Sequence, residues 1–189
     1  MTFSEAPAPR TSPWGKPDTV RRLAAGVYTV DTPSHGGIFL SAERNAEVPP
    51  IARDRAGWYE EDCDWAIAAL VHADAFSPDE QAAAITSAKN WNPDAYTAIT
   101  GQPVALSESH TLQDRAFKAA TRNEFVVASA FGDWSPFVGK GEVGVCARRE
   151  SDGAEQWALV SAANYAARQG FYVLEEGRDR FIEKPERTH

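Results

Sequence analysis

The order of local signals predicts an α+β fold: an N-terminal β-hairpin, a central group of helices, then a C-terminal antiparallel sheet of three to four strands. Three observations carry this. Residues 26–40 are rich in β-branched and aromatic side chains interrupted by one Pro- and Gly-bearing turn. Residues 60–120 hold repeated helix-start signals, and the last third returns to short apolar runs separated by Gly, Asp, Ser and Pro.

Residues 1–13 are rich in Pro, Ala and Ser and are expected to form a loose arm. A short helical turn is predicted near Asp18 to Leu23. Gly26 to Asp31 reads as a strand, Thr32-Pro33-Ser34-His35-Gly36-Gly37 as a turn, and Ile38-Phe39-Leu40 as the returning strand, with His35 at the hairpin tip. Glu43 to Pro50 is expected to be a connector. A helix is predicted from about Glu60 to Asp74. The next begins at Ser77-Pro78-Asp79-Glu80, which offers an N-cap serine, a proline at the first helical position and a capping-box glutamate. Trp91-Asn92-Pro93-Asp94 repeats that logic for a short helix ending at Gly101, and a fourth helix is predicted from Thr111 to Ala120. Glu124–Phe131, Glu142–Arg148 and Gln156–Val160 read as strands. Ser161 is expected to cap a short helix, Phe171–Leu174 to add an edge strand, and residues 176–189 to form a charged flexible tail. Residues 14–175 are thus read as one α+β domain.

The 189 residues have a formal net charge of −8, and 43% are hydrophobic, an ordinary globular composition. Excess negative charge opposes direct nucleic-acid binding, because phosphates would find no neutralising surface. It suits a basic protein partner. No apolar run reaches membrane-spanning length and no basic leader precedes an apolar stretch, so a cytoplasmic protein without membrane association is expected. Cys63 and Cys146 are the two cysteines, without metal-type spacing, and both are read as free thiols. No cofactor is implied.

Several phrases taken together resemble a known family. Ser12-Pro13-Trp14-Gly15, Ser34-His35-Gly36-Gly37, Glu43-Arg44-Asn45, the Gly57-to-Trp65 phrase, Trp91-Asn92-Pro93-Asp94-Ala95-Tyr96 and Gly144-Val145-Cys146-Ala147 are similar to a domain of unknown function (family 7007 type) found in proteins of bacterial plasmids, phages and other mobile elements. The resemblance spans roughly Ser12 to Phe171. Ser107-Glu108-Ser109 departs from it where a glycine would open the phrase. The resemblance implies a mobile-element accessory protein, raises an anti-defence role (anti-CRISPR or anti-restriction) by context, and brings no established chemistry.

The most informative local feature is acidic. From Ala56 to Ala88 there are seven acidic residues and no Lys or Arg, three of them in Glu60-Glu61-Asp62 beside Cys63. Read as the start of a helix, these acids would complement the macrodipole without any ligand. A helix N-terminus would lend Cys63 thiolate character, and Cys63-Asp64-Trp65-Ala66 faintly resembles transglutaminase-like cysteine peptidases, with His35, His72 and His110 as histidine candidates. The surrounding carboxylates act oppositely and raise a thiol pKa. His35 with Glu60, Glu61 and Asp62 offers mixed N/O ligands, but no local spacing forms a metal motif. Gly36 and Gly37 serve a turn needing positive φ, or leave room for a ligand. His72 is expected at a helix surface or boundary. His110 near a helix start and His189 in the tail suggest no role.

Two functional expectations follow. The first is a non-enzymatic acidic binding protein that blocks a basic site on a host protein, using Glu60, Glu61, Asp62, Asp64 and Asp74 with Trp58 or Trp134 as aromatic anchor. The alternative is a hydrolase or transferase with His35, Glu61, Asp62 and Cys63 as catalytic groups.

Overall fold

In the computed structural model, which describes residues 3–186, the α+β class and the expected order of hairpin, helices and sheet are present. The chain divides between Asp114 and Arg115 into two compact units. Each is built on a four-stranded antiparallel sheet with strands in sequence order. Among the described residues no helix is long and apolar enough to cross a membrane.

The first sheet comprises β1 (Thr19–Ala24), β2 (Val27–Asp31), β3 (Gly36–Leu40) and β4 (Trp58–Glu60). β1 replaces the predicted helical turn. β-branched Thr19 and Val20 pair with Asp31 and Val30, and β2 supplies hydrogen-bond partners to a segment too short to hold a helix alone. The expected connector instead contains α1 (Ala42–Ala46), capped where Ser41 Oγ accepts from Arg44 N–H at 3.3 Å. The helix predicted from Glu60 begins later. Trp58–Glu60 pairs with β3, residues 61–64 turn, and α2 spans Trp65–Val71 with no acid in its first turn. Four consecutive buried residues, Ala66 to Ala69, make α2 the enclosed centre of the unit.

α3 (Pro78–Trp91) carries the predicted capping box. Ser77 Oγ accepts from Glu80 N–H, and the Glu80 carboxylate accepts from Ser77 N–H at 2.8 Å, worth about 1 kcal/mol. α4 (Pro93–Thr100) ends on Gly101 at φ 72°. Asn92 does not cap it; its side chain donates to Cys63 O and Asp64 Oδ1 at 3.4 and 3.3 Å, tying the turn before α2 to α4. α5 (His110–Ala120) starts at buried Ser109, whose Oγ donates to Asn90 O and accepts from Leu112 N–H. Val27, Ile38, Leu40 and Tyr59 pack on Ile67, Ala84, Ala88 and Tyr96 to form the core. Strand alternation turns Tyr28 and Val30 to the opposite face of the sheet, yet both are buried. The N-terminal segment covers them there: Tyr28 OH donates to Ala6 O, and Trp14 packs edge-on to Trp58 at 5.6 Å.

In the second unit β5 (Phe125–Phe131), β6 (Glu142–Arg149), β7 (Glu155–Ser161) and β8 (Arg180–Ile182) form the sheet, with α6 (Ala162–Ala166) after β7. Ser161 makes no side-chain cap to α6. The predicted strand at Phe171–Leu174 is a single bridge, Val126 to Val173, along the edge of β5. Val145, Ala147, Ala158, Val160, Tyr172 and Leu174 form this unit's core.

One buried polar knot organises the first unit. Arg44 and His72 are each only 2% exposed, so His72 is interior rather than a boundary residue. Arg44 donates from Nε to Ala25 O at 2.9 Å and from both terminal nitrogens to the Asp74 carboxylate at 3.0 Å. His72 Nε2 lies 3.0 Å from Arg44 O, which can only accept, so that nitrogen carries the proton. Nδ1 then accepts from Arg44 Nη1 at 3.2 Å, and the ring is neutral. Burial, the larger cause, and the adjacent guanidinium hold the His72 pKa below its ordinary value, although the bond to Arg44 O opposes them. Phe3 closes the knot, with the Arg44 guanidinium 3.7 Å from its ring centroid and His72 meeting it edge-on. Replacing Arg44 by Leu leaves Ala25 O and His72 Nδ1 without their donor; a loss of about 2–4 kcal/mol is expected in urea unfolding. The unfolded chain protonates His72 near pH 6.5 whereas the folded chain resists until lower pH, so stability falls as pH drops through that window. His72→Gln should flatten this decline in urea midpoints measured from pH 7.5 to 5.

Candidate functional site

The tip of the β2–β3 hairpin is fixed by a threonine. Thr32 donates to His35 O from its N–H at 2.8 Å and from its hydroxyl at 2.7 Å, and its hydroxyl accepts from His35 N–H at 3.2 Å. The His35 side chain stands 56% exposed beyond this turn. Gly36 and Gly37 do not serve positive φ, since both lie in β3 with ordinary strand dihedrals. Their role is space. A Cβ on Gly37 would stand 2.3 Å from Tyr59 O and 2.5 Å from the Trp14 ring, so its absence lets β4 pair and Trp14 cover the strand. A Cβ on Gly36 would stand 2.8 Å from Glu61 Oε2 and 3.1 Å from Asp31 Oδ1, so two carboxylates close over this glycine.

β4 delivers the acids to the same place. Glu61 N–H donates to Gly36 O at 3.1 Å, which extends the pairing one residue past the strand. Glu60 Oε2 accepts from Asp62 N–H at 2.7 Å, and its other oxygen lies 3.9 Å from His35 Nδ1. One ligand atom from each of His35, Glu60 and Glu61 falls within 4.8 Å of the others. This set of one imidazole and two carboxylates suits a hard divalent cation or a cationic side chain. Among the described residues, none of Asp31, Glu60, Glu61, Asp62 and Asp64 pairs with a lysine or arginine. Charge is also unequal between the units: residues 1–114 hold sixteen acidic against eight basic residues, and residues 115–189 eleven of each.

Cys63 lies half-buried in the turn beside these acids. Burial first, then Asp64, Asp62 and Glu60, push its thiol pKa up, which opposes thiolate formation. Cys146, within β6, is raised mainly by burial. Asp74 departs from the expected acidic surface, because the bidentate Arg44 pair holds its carboxyl below the ordinary range and neutralises it. Trp58 is half-buried between Trp14 and Phe39, 4.7 Å from the latter ring, and stands as packing rather than a free anchor. Trp134, in the second unit, is 76% exposed. His110 stacks on Trp91 at 5.3 Å. His189 lies outside the described residues.

Residues 7–122 match the model of a family described as a domain of unknown function, DUF7007, and the chain belongs to that family. Neither a curated protein nor a solved structure matches the chain. The matched stretch includes His35, Glu60 and Glu61 and stops short of the Gly144–Ala147 phrase. Sequence reasoning missed Asp31 in this cluster. Its signal was present in the hairpin, since a four-residue turn from Thr32 to His35 sets Asp31 opposite Gly36.

The two glycines are separable experimentally. Gly37→Ala collides with a backbone carbonyl and should lower stability by about 1–3 kcal/mol in urea unfolding. Gly36→Ala meets the end of a mobile side chain and should displace the Glu61 carboxylate at a smaller loss.

Proposed function

We propose that this protein is a non-enzymatic binding protein of a mobile genetic element, acting in the cytoplasm. Its face formed by Asp31, Glu60, Glu61, Asp62 and Asp64 occupies a basic site on a host protein. The observation that carries this reading is the convergence of the Glu60 and Glu61 carboxylates beside His35, with Asp31 next to Glu61 over Gly36, none of these carboxylates paired with a lysine or arginine among the described residues. Such a field accelerates encounter with a cationic surface and rejects nucleic acid directly. A basic host site of this kind includes the nucleic-acid grooves of restriction or CRISPR enzymes, which makes an anti-defence role the fitting biological class.

A second reading, a hydrolase or transferase, is favoured by one specific observation. His35 Nδ1 lies 3.9 Å from Glu60 Oε1, and the His35, Glu60 and Glu61 ligand atoms cluster within 4.8 Å. In that reading His35 moves the proton while the carboxylates orient it or a metal. Asp62 joins through its N–H to Glu60, and the raised thiol pKa weighs against Cys63 as the nucleophile.

The discriminating experiment uses capture from host lysate, followed by affinity measurement on the partner obtained. Docking predicts that the double variant Glu60→Lys, Glu61→Lys abolishes association, that raising salt from 50 to 300 mM weakens wild-type binding at least tenfold, and that His35→Ala scarcely matters. Salt-independent association overturns the docking reading. Loss of function on His35→Ala with binding retained selects the enzyme.

A further inference from the structure

The second unit holds a hollow of about 400 Å³ lined by Phe117, Val126, Val127, Phe171, Arg148 and Glu150, together with Thr121, Lys118 and backbone-near residues of β5 and the β6–β7 turn. Its size falls in the range of small-molecule sites. Phe117 and Phe171 stack at 4.3 Å with an interplanar angle of 13°, and Phe171 remains 48% exposed. These rings and the two valines give the hollow flat, apolar walls. Arg148 supplies the contrasting chemistry. Arg149, Arg178, Arg180 and Lys184 each pair with a carboxylate of their own unit, through Asp152, Asp179, Glu142 and Glu155. Among the described residues Arg148 makes no such pair, and its guanidinium lies over Gly153, with Nη2 3.5 Å from where a Cβ would stand.

We propose that this hollow binds a small aromatic carboxylate, its ring against Phe117, Phe171 and the valines and its carboxylate on the Arg148 fork. A guanidinium accepts a carboxylate through two parallel hydrogen bonds, which fixes the ligand's orientation as well as its charge. Glu150, also without an ion-pair partner among the described residues and lining the hollow, repels a dianion more than a monoanion and so favours a carboxylate over a phosphate. The site lies in a different unit from the acidic cluster and is independent of it.

The test is an amide-resolved NMR titration of the full chain with indole-3-acetate. Saturable shifts are expected at Phe117, Val126–Ala128, Arg148 and Phe171, with a Kd on the order of 0.1–1 mM for an open site and a ligand of this size. Tryptamine, with the same ring and a cationic tail, and inorganic phosphate, an anion without a ring, should give no saturable shift at these residues. Arg148→Gln should weaken indole-3-acetate at least tenfold, and Phe171→Ala by a similar factor, with the remaining spectrum unchanged. The proposal is overturned by absence of saturable shifts at 10 mM, by equal binding of tryptamine, or by unaltered affinity in Arg148→Gln.

Discussion

The first unit depends on one buried guanidinium. Arg44 links the β1–β2 turn through Ala25 O, the end of α2 through His72, the short turn after it through Asp74, and the N-terminal segment through Phe3. A charge this enclosed is tolerated because its donors are met by a carboxylate, a carbonyl and a neutral imidazole, with an aromatic face over it. Removing any one partner leaves a desolvated group, so the four segments are held to a common geometry. Neighbouring Asn45 does the same on the other flank, accepting from Tyr59 OH at 2.7 Å while donating to Asp54 O at 2.7 Å. Burial pushes the Tyr59 pKa up to about 12, which keeps that hydroxyl a donor. Glu43-Arg44-Asn45 is therefore a structural phrase, and its two buried members fix β4 and α2 against the hairpin.

What the sequence disclosed follows from how local each determinant is. The capping box at Ser77 and Glu80, the αL stop at Gly101 and the turn around His35 are written within a few residues, and all appear in the structure. β1 departs from the predicted helical turn because its β-branched Thr19 and Val20 are held extended by pairing with β2, a partner outside the local window. β4 was hidden for the same reason, since Trp58–Glu60 adjoins an apolar helical run and is drawn into a strand only by β3. Asn92 shows the limit of pattern reading. It occupies an N-cap position in Trp91-Asn92-Pro93, yet its amide reaches across twenty-eight positions to Asp64 and leaves the cap unmade.

The candidate site was legible in composition and not in construction. The acids were evident as a run, and His35 as a hairpin tip. That they meet follows from Gly36 and Gly37, which were read as turn glycines. Their missing side chains instead admit the Glu61 and Asp31 carboxylates on one face and the Trp14 ring with β4 on the other. Two successive strand residues thus serve opposite faces of the sheet, as the period of two requires. One closes the hydrophobic cover over β3, and the other brings the carboxylates together.

Local hydrogen bonds account for only part of that gathering of like charge. Of these acids only Asp64 stands at the N-terminus of α2, as its N-cap residue without a side-chain cap bond, and the Glu60 bond to Asp62 N–H accounts for one oxygen of one carboxylate. Elsewhere in the first unit three exposed acids have a basic partner: Asp74 in Arg44, Glu5 in Arg22 and Glu108 in Lys89. Carboxylates held within a few ångströms in partial solvent repel each other by about 1 kcal/mol per close pair, more where water is excluded. Crowding these carboxylates around His35 leaves a concentrated negative field at the β3–β4 end, which an incoming positive charge would offset. The same reasoning distinguishes a cationic partner from an apolar one, because burying these carboxylates against a hydrocarbon surface would deepen the repulsion and add desolvation to it.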